Sequence, residues 1–177
     1  MVRHLFAALS SICLVVFITE ATVSDKWSKV NEFGKIFIEE EQKYNWFEAK
    51  DECAIRDMTL IVIDTPEKNA SIEKVLRRRF GKCPNLWLGG NDLGLEDKFT
   101  WSSTGKPFEF SNWSNGQPDN SKNNEHCVHY DRRTDFEWND TQCATKMGFI
   151  CEENHFLRSA RHDMEEKKIA IDHLFAL

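Results

Sequence analysis

Five oxygen-bearing side chains gather in the second half of the 177-residue chain. Gln117 and Asp119 flank Pro118, Glu125 follows shortly after, and Asn139 and Asp140 stand side by side. Three carboxylates and two amide oxygens make a set of hard donors. Calcium takes roughly six to eight oxygens at about 2.3–2.6 Å and mixes carboxylates, amide carbonyls and water. Three carboxylates slightly over-neutralise a divalent cation. Magnesium demands a strict octahedron and keeps its waters, and zinc would call on imidazole or thiolate. A cis bond at Gln117–Pro118, which proline makes accessible at about 0.5–1 kcal/mol, would turn the chain sharply and aim both flanking side chains at one spot. Gln-Pro-Asp alone is an ordinary turn, and so is Asn-Asp; only their combination with the cysteine spacing is specific. Catalytic alternatives are thin. His126 and His129 lie near Glu125, but residues three apart on a strand face opposite sides and make a poor zinc pair. No Ser/His/Asp arrangement or phosphate loop stands out, so the chain reads as non-enzymatic.

These donors need a scaffold. Lys35–Ile38 reads as an early strand. Asn45 caps a helix running to Asp57, with Trp46, Phe47, Ala49 and Cys53 on its apolar rhythm. Leu60–Ile63 is a short strand-like run. Thr65 caps a second helix with Pro66 at its first position, Arg77, Arg78 and Arg79 in its last turn and Gly81 as its stop. The arginine run reads as a solvated helix end. Strands are expected at 86–88, 99–101, 126–130, 136–138 and 148–151. Between them, 102–124 is a long polar stretch, and loops of that length in compact domains usually serve function. The expectation is an α+β domain over residues 28–153, with two helices and small antiparallel sheets around one long loop. Residues 154–177 form a tail. Leu157, Ala160, Met164, Ile171 and Leu174 fall on one side of a moderately amphipathic helix, interrupted by Lys167. An oligomerising helix and a loosely docked extension are both open readings.

A net charge of −6 leaves no basic footprint for nucleic acid or an anionic membrane surface. Residues 1–24 read as a secretory signal peptide: a basic start, then an apolar run from Leu5 to Ile18 broken by Ser10 and Ser11. That run is short for a membrane span of about 20 residues. Cleavage after Ala21 or Ser24 would release a secreted, extracellular product. Of six cysteines, Cys13 lies in that leader. Cys53, Cys83, Cys127, Cys143 and Cys151 remain, an odd set in an oxidising compartment. Asn69-Ala70-Ser71 and Asn112-Trp113-Ser114 are glycosylation sequons. A third begins at Asn139, where a glycan would occupy a ligand amide.

From about Phe33 to Glu152 the chain resembles the C-type lectin-like domain family, especially the secreted single-domain galactose-type lectins of insects. The resemblance rests on Trp87-Leu88-Gly89-Gly90, Gln117-Pro118-Asp119, Glu125 before Cys127, Trp138-Asn139-Asp140 before Cys143, and a late Cys151. It implies disulfides Cys53–Cys151 and Cys127–Cys143, with Cys83 left over. It implies that Gln117, Asp119, Glu125, Asn139 and Asp140 hold Ca2+ and bind a sugar through two neighbouring hydroxyls. The Gln-Pro-Asp order goes with galactose-type ligands in that family, since Gln117 offers a donor where Asp119 only accepts. Glycans on microbial or host cells are the implied partners, with a role in innate immunity or reproduction. The alternative is a lectin-like domain that binds a protein ligand without calcium-dependent sugar binding. Two departures matter. The tryptophan that many galactose binders place two residues after the aspartate is Ser121 here. A second calcium site would map onto Asp92, Glu96, Asn120, Glu125 and His126, where Asn120 and His126 replace usual carboxylates. A homodimer through Cys83 or the C-terminal helix is a further expectation.

Overall fold

The computed structural model describes residues 26–30 and 33–175. The expected leader lies outside the described residues. In chain order the elements are β1 (Trp27–Lys29), β2 (Lys35–Tyr44), α1 (Trp46–Ala54), β3 (Met58–Leu60), α2 (Pro66–Phe80), β4 (Leu86–Asn91), β5 (Thr100–Trp101), β6 (Cys127–Tyr130), β7 (Trp138–Thr141), β8 (Met147–Glu153) and α3 (His155–Phe175). The expectation of two helices is corrected: the described residues hold three α-helices, the third being α3. The separate small antiparallel sheets are also corrected. One mixed sheet runs β1-β2-β8-β4-β6-β7, with β3 added to β8 and β5 to β4. Within it β4 lies parallel to β8, with Leu86 opposite Gly148 and Trp87 opposite Phe149. Such a pairing joins strands far apart in the chain, and hydrophobic periodicity carries no sign of it.

Period-two alternation divides the sheet between two cores. Ile36, Ile38, Leu86, Leu88 and Ile150 face one side, where Ile72 and Leu76 of α2 cover them. Phe37, Trp87, Phe149 and Cys151 face the other, against Trp46, Ala49 and Cys53 of α1. Local chemistry starts both helices. Asn45 Oδ1 accepts the Glu48 N–H at 2.8 Å, and Glu48 Oε2 accepts the Asn45 N–H at 2.7 Å, a reciprocal capping box. Thr65 Oγ1 accepts the Lys68 N–H at 3.1 Å, with Pro66 following it. The strand expected from Phe136 begins only at Trp138, because Phe136 sits in the left-handed region at φ 61°.

The long polar segment is nailed down by three aromatic rings, Phe108, Phe110 and Trp113, which pack on the α2-side core. Phe108 stacks on Trp101 with centroids 4.1 Å apart. Gly90 makes the seat for it: a Cβ there would lie 2.4 Å from Phe108 Cζ. Beyond these anchors the segment is stitched to β7, since Trp138 N donates to Asn112 O at 2.8 Å and Ser114 N to Trp138 O at 2.9 Å. The loop tip therefore emerges beside Asn139 and Asp140.

Candidate functional site

Three carboxylates from three segments converge here. Oxygens of Asp119, Glu125 and Asp140 all lie within 4.8 Å of one another. Asp119 comes from the loop, just past the cis Gln117–Pro118 peptide. Glu125 stands at the entrance to β6, and Asp140 lies inside β7. The β6–β7 ladder sets their register, pairing Cys127 with Thr141 and Val128 with Asp140. The Cys127–Cys143 disulfide clamps the same two strands. The other disulfide, Cys53–Cys151, ties α1 to β8.

Asp140 is fully buried and holds the loop tip by its carboxylate. It accepts the Asp119 N–H at 3.2 Å and the Asn120 N–H at 2.9 Å. Asn120 is in the left-handed region and its Oδ1 accepts the Glu125 N–H at 3.0 Å. Glu125 Oε2 in turn accepts the Ser121 N–H at 3.2 Å. These bonds fold the tip back on itself and crowd like charges. Burial pushes the Glu125 carboxyl above the ordinary range, the Ser121 N–H offsets part of this, and the Asp140 and Asp119 charges add to it. Burial likewise raises Asp140; its backbone donors oppose the shift and Asp119 reinforces it. A cluster that resists ionisation on its own is one that gains from a cation.

Two further atoms bear on the fit of a metal. Gln117 Oε1 and Asn139 Oδ1 are buried amide oxygens with no hydrogen-bond partner. Buried acceptors are nearly always satisfied. Both belong to the five-residue donor set, so calcium suits these residues on charge, donor type and unmet bonding capacity.

The residues of the expected second site form a cluster of their own, Asp92, Glu96 and His126 offering ligand atoms within 4.8 Å of one another. Asp92 is buried, and its Oδ1 lies 3.0 Å from His126 Nδ1 while its Oδ2 accepts the Asp97 N–H at 2.9 Å. Glu96 Oε2 is 3.7 Å from His126 Nδ1, and Asn120 Nδ2 also donates to Glu96. The two residues that replace carboxylates thus bond to the carboxylates that remain. Sequence reasoning did not reveal these contacts, which depend on the loop tip reaching the turn after β4.

The two sequon asparagines, Asn69 and Asn112, both use their side chains within the fold. Asn69 is buried and its Oδ1 accepts the Tyr130 hydroxyl at 3.2 Å. Asn112 is half-buried and its Nδ2 donates to Phe136 O at 3.0 Å. Cys83 is buried in the α2-side core, and burial pushes its thiol up to about 12. A thiol so placed is neither ionised nor reachable for a bridge to another chain. A cavity of about 430 Å³, lined by Lys68, Glu152, Trp101 and Arg158, lies at the start of α3 and includes none of the five donors.

Comparison with known proteins gives a consistent picture. Residues 42–153 match the family model described as the Lectin C-type domain. Lectin subunit alpha of Sarcophaga peregrina is 42% identical over 166 residues, spanning 90% of this chain and 58% of that protein. Salivary C-type lectin 1 of Aedes albopictus is 36% identical over 115 residues, 61% of this chain and 75% of that one. Among solved structures, the mouse scavenger receptor C-type lectin carbohydrate-recognition domain superposes with a TM-score of 0.62 at 28% identity, covering 72% of this chain and 95% of that domain.

Proposed function

The chain belongs to the Lectin C-type domain family, and from that premise we propose that it is a calcium-dependent, galactose-type carbohydrate-binding protein acting outside the cell. The observation that carries this reading is the convergence of Asp119, Glu125 and Asp140 beside the unmet oxygens of Gln117 and Asn139. These five residues would hold the cation. When bound, calcium supplies coordination positions to two neighbouring hydroxyls of a sugar.

The chain's own residues do the rest. Asp140 keeps Asp119 and Asn120 in place through their N–H groups. Asp119 is exposed and faces solvent as an acceptor. Gln117 carries a donor and an acceptor on one amide, and this polarity sorts hydroxyl arrangements. Ser121 is exposed and offers no aromatic face to the sugar ring, so galactose preference rests on hydrogen bonding and is modest. The family is one of binding domains, and the protein is not an enzyme. Glycans on microbial or host surfaces are its partners in this reading.

The test is retention on galactose resin in calcium, elution by chelator, and the same experiment on Asp119→Ala. The variant should lose retention while keeping its circular dichroism. Retention that survives chelator, or that Asp119→Ala leaves intact, refutes the assigned site. Binding to a protein ligand with no response to calcium would favour the lectin-like alternative.

A further inference from the structure

α3 is a 21-residue helix, about 30 Å long, and every residue described in it is exposed. Its polar ties to the domain are at its root, where Arg158 Nη1 donates to Phe33 O and Arg161 Nη1 to Glu153 Oε1, each at 3.0 Å. An isolated helix gains little from propensity and is normally held by a packed apolar face. Here that face is bare: Leu157 is 48% exposed, Met164 65%, Ile171 51% and Leu174 71%. No helix among the described residues is long and apolar enough to cross a membrane.

The spacing of these residues is informative. Leu157, Met164 and Ile171 recur every seven residues. Ala160, Lys167 and Leu174 do the same, three places behind. That is the a/d seam of a left-handed coiled coil over three heptads, narrower than the face a helix presents to a globular core or a lipid surface. Phe156 and Phe175, at g and e, widen the seam at its two ends. Of the large apolar residues of α3, Ile169 alone falls outside it, at f.

We infer that α3 pairs with α3 of a second copy of this chain as a parallel two-stranded coiled coil. Charge selects that occupant. In a parallel pair, position g of one helix meets position e of the next heptad in its partner. Asp163 is at g and Lys168 at e, so the symmetric dimer makes two opposite-charge contacts. Antiparallel pairing would set e against e and bring Arg161 to Lys168, a like-charge contact made twice. Lys167 at d carries a polar residue into the seam, at a cost in stability. Its methylene stem packs while its ammonium reaches out to water. Cys83, buried in the α2-side core, takes no part in this pairing. The parallel arrangement keeps both globular domains at one end, so two weak sites can act on one surface with added avidity. The pairing itself does not rest on the calcium reading.

The test is the mass of the full secreted chain by light scattering and sedimentation, in chelator, across a concentration series. The expected result is a dimer that Met164→Asp/Ile171→Asp converts to a monomer with unchanged near-ultraviolet dichroism. Asp163→Lys should weaken the dimer roughly tenfold, by turning two attractions into repulsions. Adding Lys168→Asp to it should restore the wild-type affinity. A monomeric wild type throughout, or a dimer that Lys168→Asp alone tightens, overturns the parallel pairing.

Discussion

Calcium at about one hundred times its dissociation constant should stabilise the fold by about 3 kcal/mol, the mass-action value for a single site. The structure supplies an independent figure. Gln117 Oε1 and Asn139 Oδ1 are buried without partners, and each such acceptor costs about 1–3 kcal/mol. A cation that met both would return about 2–6 kcal/mol, before any relief of the repulsion among Asp119, Glu125 and Asp140. The two figures overlap. For a domain of this size, about 3 kcal/mol moves Tm by roughly 10 °C. The raised carboxyls add a pH signature. A carboxyl whose folded-state pKa is raised, as for Glu125 and Asp140, makes the calcium-free fold lose stability as pH rises through the carboxylate range. Calcium's increment should therefore grow over that interval. The assay is scanning calorimetry in chelator and in calcium, on wild type and on Asp140→Asn. This variant keeps the side-chain shape and one acceptor for the loop, and should lose most of the shift. An identical Tm for the wild type with and without calcium would refute the reasoning, as would a full shift in Asp140→Asn.

Two further predictions concern the core. Burial pushes His129 down to about 4 from its usual 6.5. Its Nδ1–H donates to Tyr130 O at 2.7 Å, and its ring meets Trp87 edge-on. A base with a lowered folded-state pKa contributes stability above its ordinary value and loses it as pH falls toward 4, about 2 kcal/mol between pH 7 and 5. His129→Phe should flatten the urea-midpoint profile over that range; an unchanged slope would exclude this histidine as its source. Lys68 Nζ lies 2.6 Å from Glu152 Oε2, both side chains nearly buried, and Glu152 Oε1 accepts the Val62 N–H. Lys68→Met strands a buried carboxylate and should cost about 3–5 kcal/mol, most of which Glu152→Gln should recover in the double variant. Denaturant unfolding of the wild type, both single variants and the double variant measures this, and additive losses would contradict the pairing.

Much of the local architecture was legible in the residues themselves. Asn45 with Glu48 and Thr65 with Pro66 announce their helices, because a cap is satisfied within a single turn. The alternation of Phe37 between Ile36 and Ile38, or of Trp87 between Leu86 and Leu88, marks strands buried on both faces. The donor types of Gln117, Asp119, Glu125, Asn139 and Asp140 point to a hard cation without reference to any fold.

What only the tertiary structure decided are the coincidences between distant segments. The β4–β8 parallel pairing, the seating of Phe108 on Gly90, and the hold of Asp140 on the loop tip each depend on long-range register, which no window of neighbouring residues encodes. For the same reason Asn69 lies under the Tyr130 hydroxyl and His126 turns to Asp92. Residue identity fixes which bonds a group is able to make; the packed chain determines which partner arrives within reach, and whether water remains there to compete.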